Sequence, residues 1–524
     1  MPYYNINYKA KGASHDDRSL RAMALFLWYN LLKHDSMNYI SMNYVSIKKE
    51  GIFMYQPFIG RKEELSALEK LYETEGFQMM VVYGRRRIGK STLLSHFIRG
   101  KKAIFYTAAR NGLQRNLQLL SRRVLDVLAP DLNTLTFSTY EELFAFLSNK
   151  CREERILFII DEFPYLAEQA PELLSILQKY IDTEWMQGNM YLILCGSSIS
   201  FMEEEVLSEK SPLFGRRTAQ LQVKPFSYRE AADFVPSYTP AEKAVCYGIT
   251  GGVAKYLSLL RDTKSLDENI VSLFFAKTGY MYEEPSNLLT QEFRNITTYN
   301  AIIEAIASGR TKQNAIADLT HLEPSTTSHA IQNLIKTGIL KKEYAITDER
   351  NKRKVRYTFA DHMFRFWYRF LPNGIDAIEL GHGDAYYQHV VKPGISDYMG
   401  DVFEDMCRHY TLYMGLTGNL PCMITRVGKW WGTDPRKKEE TDIDVVGLDT
   451  IKKEAVLGEC KFKNERLDKS VYEALRNRTG LIDHHYRTVQ YLLFSKSGFS
   501  DWILTHQKEE AIMPIDLAQM YTSH

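Results

Sequence analysis

From residue 58 onward the chain alternates helical stripes with short continuous apolar runs. The spacing predicts a helix from Lys62 to Glu75, a strand from Gln78 to Tyr83, a glycine turn, a helix from Lys90 to Arg99 and a strand from Ala103 to Thr107. Two further apolar runs, Ile156 to Ile160 and Met190 to Cys195, read as central strands because they lack the polar alternation of a solvated face. Strands alternating with helices predict a parallel α/β sheet. Lys224-Pro225-Phe226 closes this block, and a helical stretch carrying Gly251-Gly252 follows to about Pro285. Three short helical patterns (Asn300 to Ser308, Lys312 to Thr320, Ser325 to Thr337) then precede two strands (Ile339 to Ile346, Val355 to Phe359), the order of a winged helix-turn-helix. Beyond residue 380 the pattern is mixed α/β again, with adjacent strands at Asp442 to Leu448 and Ala455 to Phe462. The expected organisation is an N-terminal extension without sustained periodicity (1–57), an α/β core (58–225), a helical lid (226–290), a winged helix (294–370) and a separate C-terminal α/β domain (380–524).

Composition changes this picture little. The 524 residues are 45% hydrophobic and 25% charged, which excludes a largely disordered or fibrous chain, and at roughly 100 to 200 residues per domain they require several domains. Lys plus Arg (66) nearly balance Asp plus Glu (64), so any electrostatic argument for a nucleic-acid partner must be local. Six cysteines without C-x-x-C spacing argue against a zinc site or disulfide framework and suit the cytoplasm. The apolar run Ala22 to Leu32 falls far short of the roughly 20 residues that span a bilayer, so no membrane partner is expected.

Candidate chemistry is concentrated at strand ends. Gly84-Arg85-Arg86-Arg87-Ile88-Gly89-Lys90-Ser91 fits G-x-x-x-x-G-K-[ST] directly after a strand and before a helix, where loop N–H groups and a helix N-terminus wrap phosphates. Lys90 would reach the β and γ phosphates of ATP, Ser91 would hold Mg2+, and Gly84, Gly89 and Thr92 would complete the cradle. The strand ending in Asp161-Glu162 would bring a carboxylate to the magnesium shell and a general base to water. Ser197, at the next strand end, would sense the γ-phosphate or simply occupy a Gly-Ser turn.

These residues reach a family. Phe-Ile-Gly-Arg-x-x-Glu at 58–64, Tyr-Gly-Arg-Arg-Arg-Ile-Gly-Lys-Ser-Thr at 83–92, Phe-Ile-Ile-Asp-Glu-Phe-Pro-Tyr-Leu at 158–166, Cys-Gly-Ser-Ser at 195–198 and Pro-Leu-Phe-Gly-Arg-Arg-Thr at 212–218 resemble the archaeal-type P-loop ATPases, which lie near the AAA+ and STAND classes. The resemblance covers residues 58–290 closely and the C-terminal region more loosely, where many members carry a winged helix and a restriction-endonuclease-like domain. It implies an ASCE-type ATP site with Ser197 as sensor and Arg216 or Arg217 as a phosphate-sensing arginine, unless both are plain surface cations. The family pattern Gly-Gly-x-Pro is replaced by Gly251-Gly252-Val253-Ala254, which puts the lid contact of that proline in question.

Residues 294–370 hold 13 Lys plus Arg against 7 Asp plus Glu. Lys341-Lys342 and Arg350 to Lys354 would fall on the wing, where cations reach the phosphates of double-stranded DNA, although a winged helix also serves as a protein-docking module. In the expected recognition helix Ile331, Leu334 and Ile335 point inward, leaving Thr326, Thr327, His329 and Gln332 outward. Phe364 to Phe370 reads as core packing rather than a base-stacking platform. In the C-terminal region, Asp444 on one strand and Glu459-x-Lys461 on the next form the pattern of PD-(D/E)XK nucleases. Glu404 on a preceding helix would be the third acid, with Mg2+ or Mn2+ held by Asp444 and Glu459. Glu-x-Lys alone arises about twice in a chain of this composition, and residues 380–524 are net acidic, so an inactive interaction module remains the alternative. The expected function is an ATP-hydrolysing protein acting on DNA, coupled to a nuclease-like domain. The alternative is a STAND-like switch that cuts nothing, and both leave room for an oligomer.

Overall fold

Val81, Val82 and their neighbours form β1 (Gln78–Tyr83), in which every residue is buried. The computed structural model describes residues 58–348 and 355–522, so the N-terminal extension and the basic run Arg350 to Lys354 lie outside the described residues. With β2 (Ala103–Thr107), β3 (Ile156–Asp161), β4 (Met190–Gly196) and β5 (Ala219–Gln222), β1 builds a wholly parallel sheet in the order β2-β3-β4-β1-β5. Strands β1, β3 and β4 are central and buried at every position, as continuous apolar runs require. Helices Leu113–Leu128, Tyr140–Glu153 and Leu173–Thr183 cover the sheet with Leu117, Leu120, Phe144, Leu147 and Leu177. The edge strand β5 escaped the sequence pattern because it is short and alternates with glutamine. The first two helices end two residues early, at Glu73 and Phe97.

A second apolar core runs from Phe226 to Met520 and crosses every boundary expected after residue 225. It collects Ile249 and Tyr256 from the lid, Ile302, Ile331 and Leu334 from the three helices, Phe364, Phe366 and Phe370 from the aromatic run, and Phe403 and Met406 from the helix Lys392–Leu416. The aromatic run is therefore packing, as its composition predicts. The three helices are Ile296–Ala307, Gln313–Thr320 and Pro324–Lys336, followed by an antiparallel pair, β6 (Leu340–Glu343) and β7 (Arg356–Phe359). Thr327, expected outward, is fully buried: it lies on the stripe Thr327, Ala330, Ile331, Leu334, and its hydroxyl is satisfied by the Glu323 carbonyl at 3.1 Å. Lys341 lies on β6 of the hairpin but is not free there to reach phosphates, because it pairs at 3.0 Å with both Glu343 and Asp405.

The C-terminal sheet follows the order β12-β11-β10-β9-β8, from β8 (Arg426–Asp434), β9 (Glu439–Asp449), β10 (Glu454–Lys461), β11 (Arg487–Ser495) and β12 (Ile512–Asp516). β8, β9 and β10 pair antiparallel, and β10, β11 and β12 parallel. Strand alternation sends Val456, Leu492 and Phe494 to the large core and Leu457 and Leu493 to a smaller cluster on the other face. No helix among the described residues is long and apolar enough to cross a membrane, and all six cysteines are free thiols.

The two halves meet at Asp361. Its carboxylate caps helix His362–Phe370, accepting from the N–H groups of Met363 (2.8 Å) and Phe364 (3.3 Å), and forms a buried ion pair with Arg85. Asp361→Ala removes both roles and strands a buried guanidinium, so urea denaturation is expected to show a loss of about 3–5 kcal/mol. Asp361→Asn keeps a capping oxygen and is expected to recover about 1 kcal/mol of that loss.

Candidate functional site

The loop after β1 is shaped by two glycines. Gly84 has φ 150°, and a Cβ there would stand 2.4 Å from the Val223 carbonyl oxygen; Gly89, at φ 93°, lets helix Lys90–Phe97 begin. Lys90 is 4% exposed and its ammonium donates to the carbonyls of Gly84 (2.8 Å) and Arg85 (3.0 Å) and to Ser197 Oγ (2.9 Å). Burial lowers its pKa, opposed by Cys195, Glu162 and Asp161. Ser91 Oγ donates to Asp161 Oδ2 at 2.7 Å. Burial pushes the Asp161 carboxyl up, with the Ser91 hydrogen bond pulling back. A buried carboxylate beside a hydroxyl at a loop mouth fits a divalent cation, which would supply the charge that the carboxylate lacks. Thr92 is exposed next to Ser91.

Strand order explains the rest. Because β4 lies between β1 and β3, its end delivers Ser197 between Lys90 and Glu162. The Ser197 hydroxyl accepts from Lys90 and donates to Glu162 Oε1, joining the three side chains in one string. Glu162 has φ 52°, a left-handed conformation uncommon for a non-glycine residue and characteristic of functional sites.

Three supports of this loop escaped the sequence reading. Arg61, buried over the Phe226 ring at 3.8 Å, donates to the Ile88 carbonyl at 3.0 Å and so braces the loop from behind. At the position of the missing proline, the Ala254 methyl lies against Gly89, and the next N–H, of Lys255, donates to the Arg87 carbonyl at 3.1 Å, so the lid contact is made without proline. The loop arginines each take a different acid: Arg85 pairs with Asp361, Arg86 with Glu292 at 2.8 Å, and Arg87 with Glu284. Arg216 is held by Asp182 at 2.7 Å and Arg217 by the Leu207 carbonyl at 3.0 Å, so the structure joins neither to the phosphate loop by a hydrogen bond or ion pair.

In the C-terminal half, Glu404 lies on helix Lys392–Leu416 over the large core and Asp444 on β9, whereas Glu459 and Lys461 fall in phase with Leu457 on the face of β10 turned towards the smaller cluster. Asp444 Oδ2 accepts from the Cys460 N–H at 3.0 Å, and Lys461 pairs with Glu459 at 2.6 Å. Unforeseen cations fill the cluster. Lys429 on β8 stands 2.9 Å from Glu404, 3.0 Å from Asp442 and 3.8 Å from Asp444; Arg478 binds Glu459 at 2.7 Å and Arg408 binds Glu404 at 3.2 Å. Among the described residues, the one group of acidic, histidine or cysteine side chains tight enough to share an ion is Asp483-His484-His485 on a largely exposed turn. The three expected carboxylates are thus neutralised by side chains rather than converged on a common point.

Residues 58–260 match the family described as an ATPase domain predominantly from Archaea, and residues 367–474 match a family described as Archaea bacterial proteins of unknown function. An uncharacterised protein of Methanocaldococcus jannaschii, MJECL04, is 30% identical over 429 residues, covering 81% of this chain and 92% of that protein. Among solved structures, a Walker-type ATPase of Pyrococcus abyssi aligns at 20% identity and TM-score 0.47, covering 60% of this chain and 96% of that one. The ORC2 protein of Aeropyrum pernix, in ADPNP–ADP complexes, aligns at 15% identity and TM-score 0.39, covering 61% and 95%.

The buried acids set a pH signature. Burial, then the neighbouring Asp444, raises the Glu404 carboxyl to about 7 from 4.5. Between these values the folded chain binds more protons than the unfolded one, so this contribution to stability is present at low pH and lost as pH rises from about 4.5 to about 7. Melting curves in EDTA are expected to show the stability of the wild type relative to Glu404→Gln falling across that window; a constant difference would contradict the raised carboxyl.

Proposed function

Because the chain belongs to the archaeal-type P-loop ATPase family, we propose that it binds and hydrolyses ATP and uses the nucleotide state to govern action on duplex DNA. The observation that carries this reading is the string Lys90, Ser197, Glu162 beside the pair Ser91 and Asp161. Lys90 exchanges its carbonyl and hydroxyl acceptors for β and γ phosphoryl oxygens, and the loop N–H groups take the remainder. Mg2+ bound by Ser91 and Asp161 would draw charge from the phosphates and orient them. Glu162 accepts the proton of the attacking water, and Ser197, bonded to both Lys90 and Glu162, aligns the general base with the phosphate. Lys90→Ala is expected to weaken both nucleotide binding and turnover. Glu162→Gln is expected to bind ATP while turnover falls roughly 10²- to 10⁴-fold; equal turnover in Glu162→Gln and wild type would remove the general-base role.

The order of three helices and a hairpin, with the local excess of Lys and Arg, supports reading residues 294–370 as a winged helix that contacts phosphates. Lys342 is exposed on its hairpin, whereas Lys341 is committed to Asp405. Replacing Lys352, Arg353 and Lys354 by Ala is expected to weaken duplex binding across unrelated sequences and lower the salt slope by about 2–3. Unchanged affinity and slope would favour a protein-docking module.

A second reading concerns the C-terminal region. Glu459 and Lys461 on one side of β10, with Asp444 bonded across to the next N–H, support a metal-dependent phosphodiesterase. The seating of Lys429, Arg408 and Arg478 on the same acids supports instead a switch whose C-terminal domain cuts nothing. A Mg2+ and Mn2+ screen on DNA and RNA, with and without ATP, separates them: cleavage lost in Asp444→Ala establishes the first, and no cleavage with no metal-induced rise in melting temperature establishes the second.

A further inference from the structure

A cavity of about 40 Å3, several times the roughly 10–15 Å3 that one water needs, lies between the phosphate loop and the segments that close over it. Arg85, Arg86, Ser197, Glu292 and Lys336 contribute to its wall. Ser197 fixes its place in the chemistry, because the same hydroxyl touches Lys90 and Glu162. Through Ser197 the cavity borders the two side chains read above as meeting the terminal phosphoryl group and the attacking water.

Of the three cations on this wall, two are committed elsewhere. Arg85 is locked to fully buried Asp361, and Lys336 pairs with Glu204 at 2.8 Å. Arg86 is held by partners that can be exchanged: its Nε donates to Glu292 at 2.8 Å and an Nη to the Tyr165 hydroxyl at 2.9 Å, with both ion-pair partners partly exposed. It is also near enough to Lys90 for their charges to repel, so a polyanion between them would relieve the repulsion. Arg216 and Arg217, the arginines that the motif singles out for this task, are engaged away from the loop within this chain.

We propose that Arg86 is an arginine finger supplied in cis by the phosphate loop, exchanging the Glu292 carboxylate for a γ-phosphoryl oxygen when ATP binds. The proposal rests on the ATP-hydrolysis reading above. The water oxygen bonds to Pγ, its proton passes to Glu162, and the bond from Pγ to the β–γ bridging oxygen breaks with its electron pair leaving on ADP. The Arg86 guanidinium stabilises the charge on the γ-phosphoryl oxygens during this exchange and returns to Glu292 once phosphate departs. Glu292 ends the helix Glu284–Glu292, so ATP and ADP would leave that helix with different partners.

The test measures steady-state turnover with Mg2+-ATP and calorimetric affinities for ADP and for the β,γ-imido analogue of ATP, on the full chain. Arg86→Ala is expected to lose about 10³-fold or more in turnover, the range of arginine fingers, while ADP affinity moves less than about threefold. Glu292→Gln, which frees Arg86 without removing it, is expected to tighten the analogue several-fold and leave ADP unchanged. Wild-type turnover in Arg86→Ala overturns the proposal and leaves the ATPase reading intact. Equal loss of ADP and analogue affinity in Arg86→Ala, with no selective effect of Glu292→Gln, overturns it in favour of a structural brace. Wild-type protein that binds neither nucleotide any better than Lys90→Ala does overturns both.

Discussion

The buried ion pair between Arg85 and Asp361 is the constraint on which the arrangement depends. A buried charge pair stabilises a fold only when its remaining hydrogen-bonding capacity is satisfied. Asp361 meets that condition by accepting from Arg85 and from two N–H groups of the helix that it caps. That helix carries Phe364, Phe366 and Phe370 into the large core. The phosphate loop is thereby fastened to the packing of the whole second half of the chain. Arg86 and Arg87 add two further ties, both to the helix Glu284–Glu292.

Beyond this junction lies a path of paired charges in the C-terminal half. His362 follows Asp361; it is buried against the Tyr247 ring, and burial lowers its pKa to about 4, so it is neutral near pH 7. The nearby Asp405 is paired with Lys341 and Arg408, Arg408 reaches Glu404, and Lys429 connects Glu404 to Asp442 and Asp444. Every charge on this path faces an opposite one, which explains how so many ionisable groups are tolerated beside an apolar core. It also explains why the C-terminal acids are neutralised by side chains.

The phosphate site was legible because its parts are local in the sequence. An apolar run followed by glycines, Lys90 and Ser91 specifies a strand, a loop and a helix start without reference to any other segment, and Ile156 to Asp161 does the same for the acidic strand. What joins these parts is not local. Lys429 meets Glu404 and Asp444 only because β8 pairs with β9 beneath a helix, and Arg61 meets Ile88 only because the chain returns under its own loop. Thr327 departs from the expectation for a different reason: it lies on the helical stripe that buries it, and a hydroxyl bonded to a carbonyl one turn back is compatible with a core position. β5, β8, β11 and β12 are not among the expected strands; in β5 and β8 the Gln, Lys and Trp content hides the strand rhythm.

The phosphate loop and the downstream core thus form one mechanical unit, joined by the loop arginines. Amide hydrogen exchange of the full chain, with and without Mg2+ and the β,γ-imido analogue of ATP, tests it most directly. Altered protection is expected in the helices Glu284–Glu292 and His362–Phe370 as well as in the phosphate loop. Changes confined to residues 84–92, 161–162 and 197, with both helices exchanging as in the nucleotide-free protein, would contradict it.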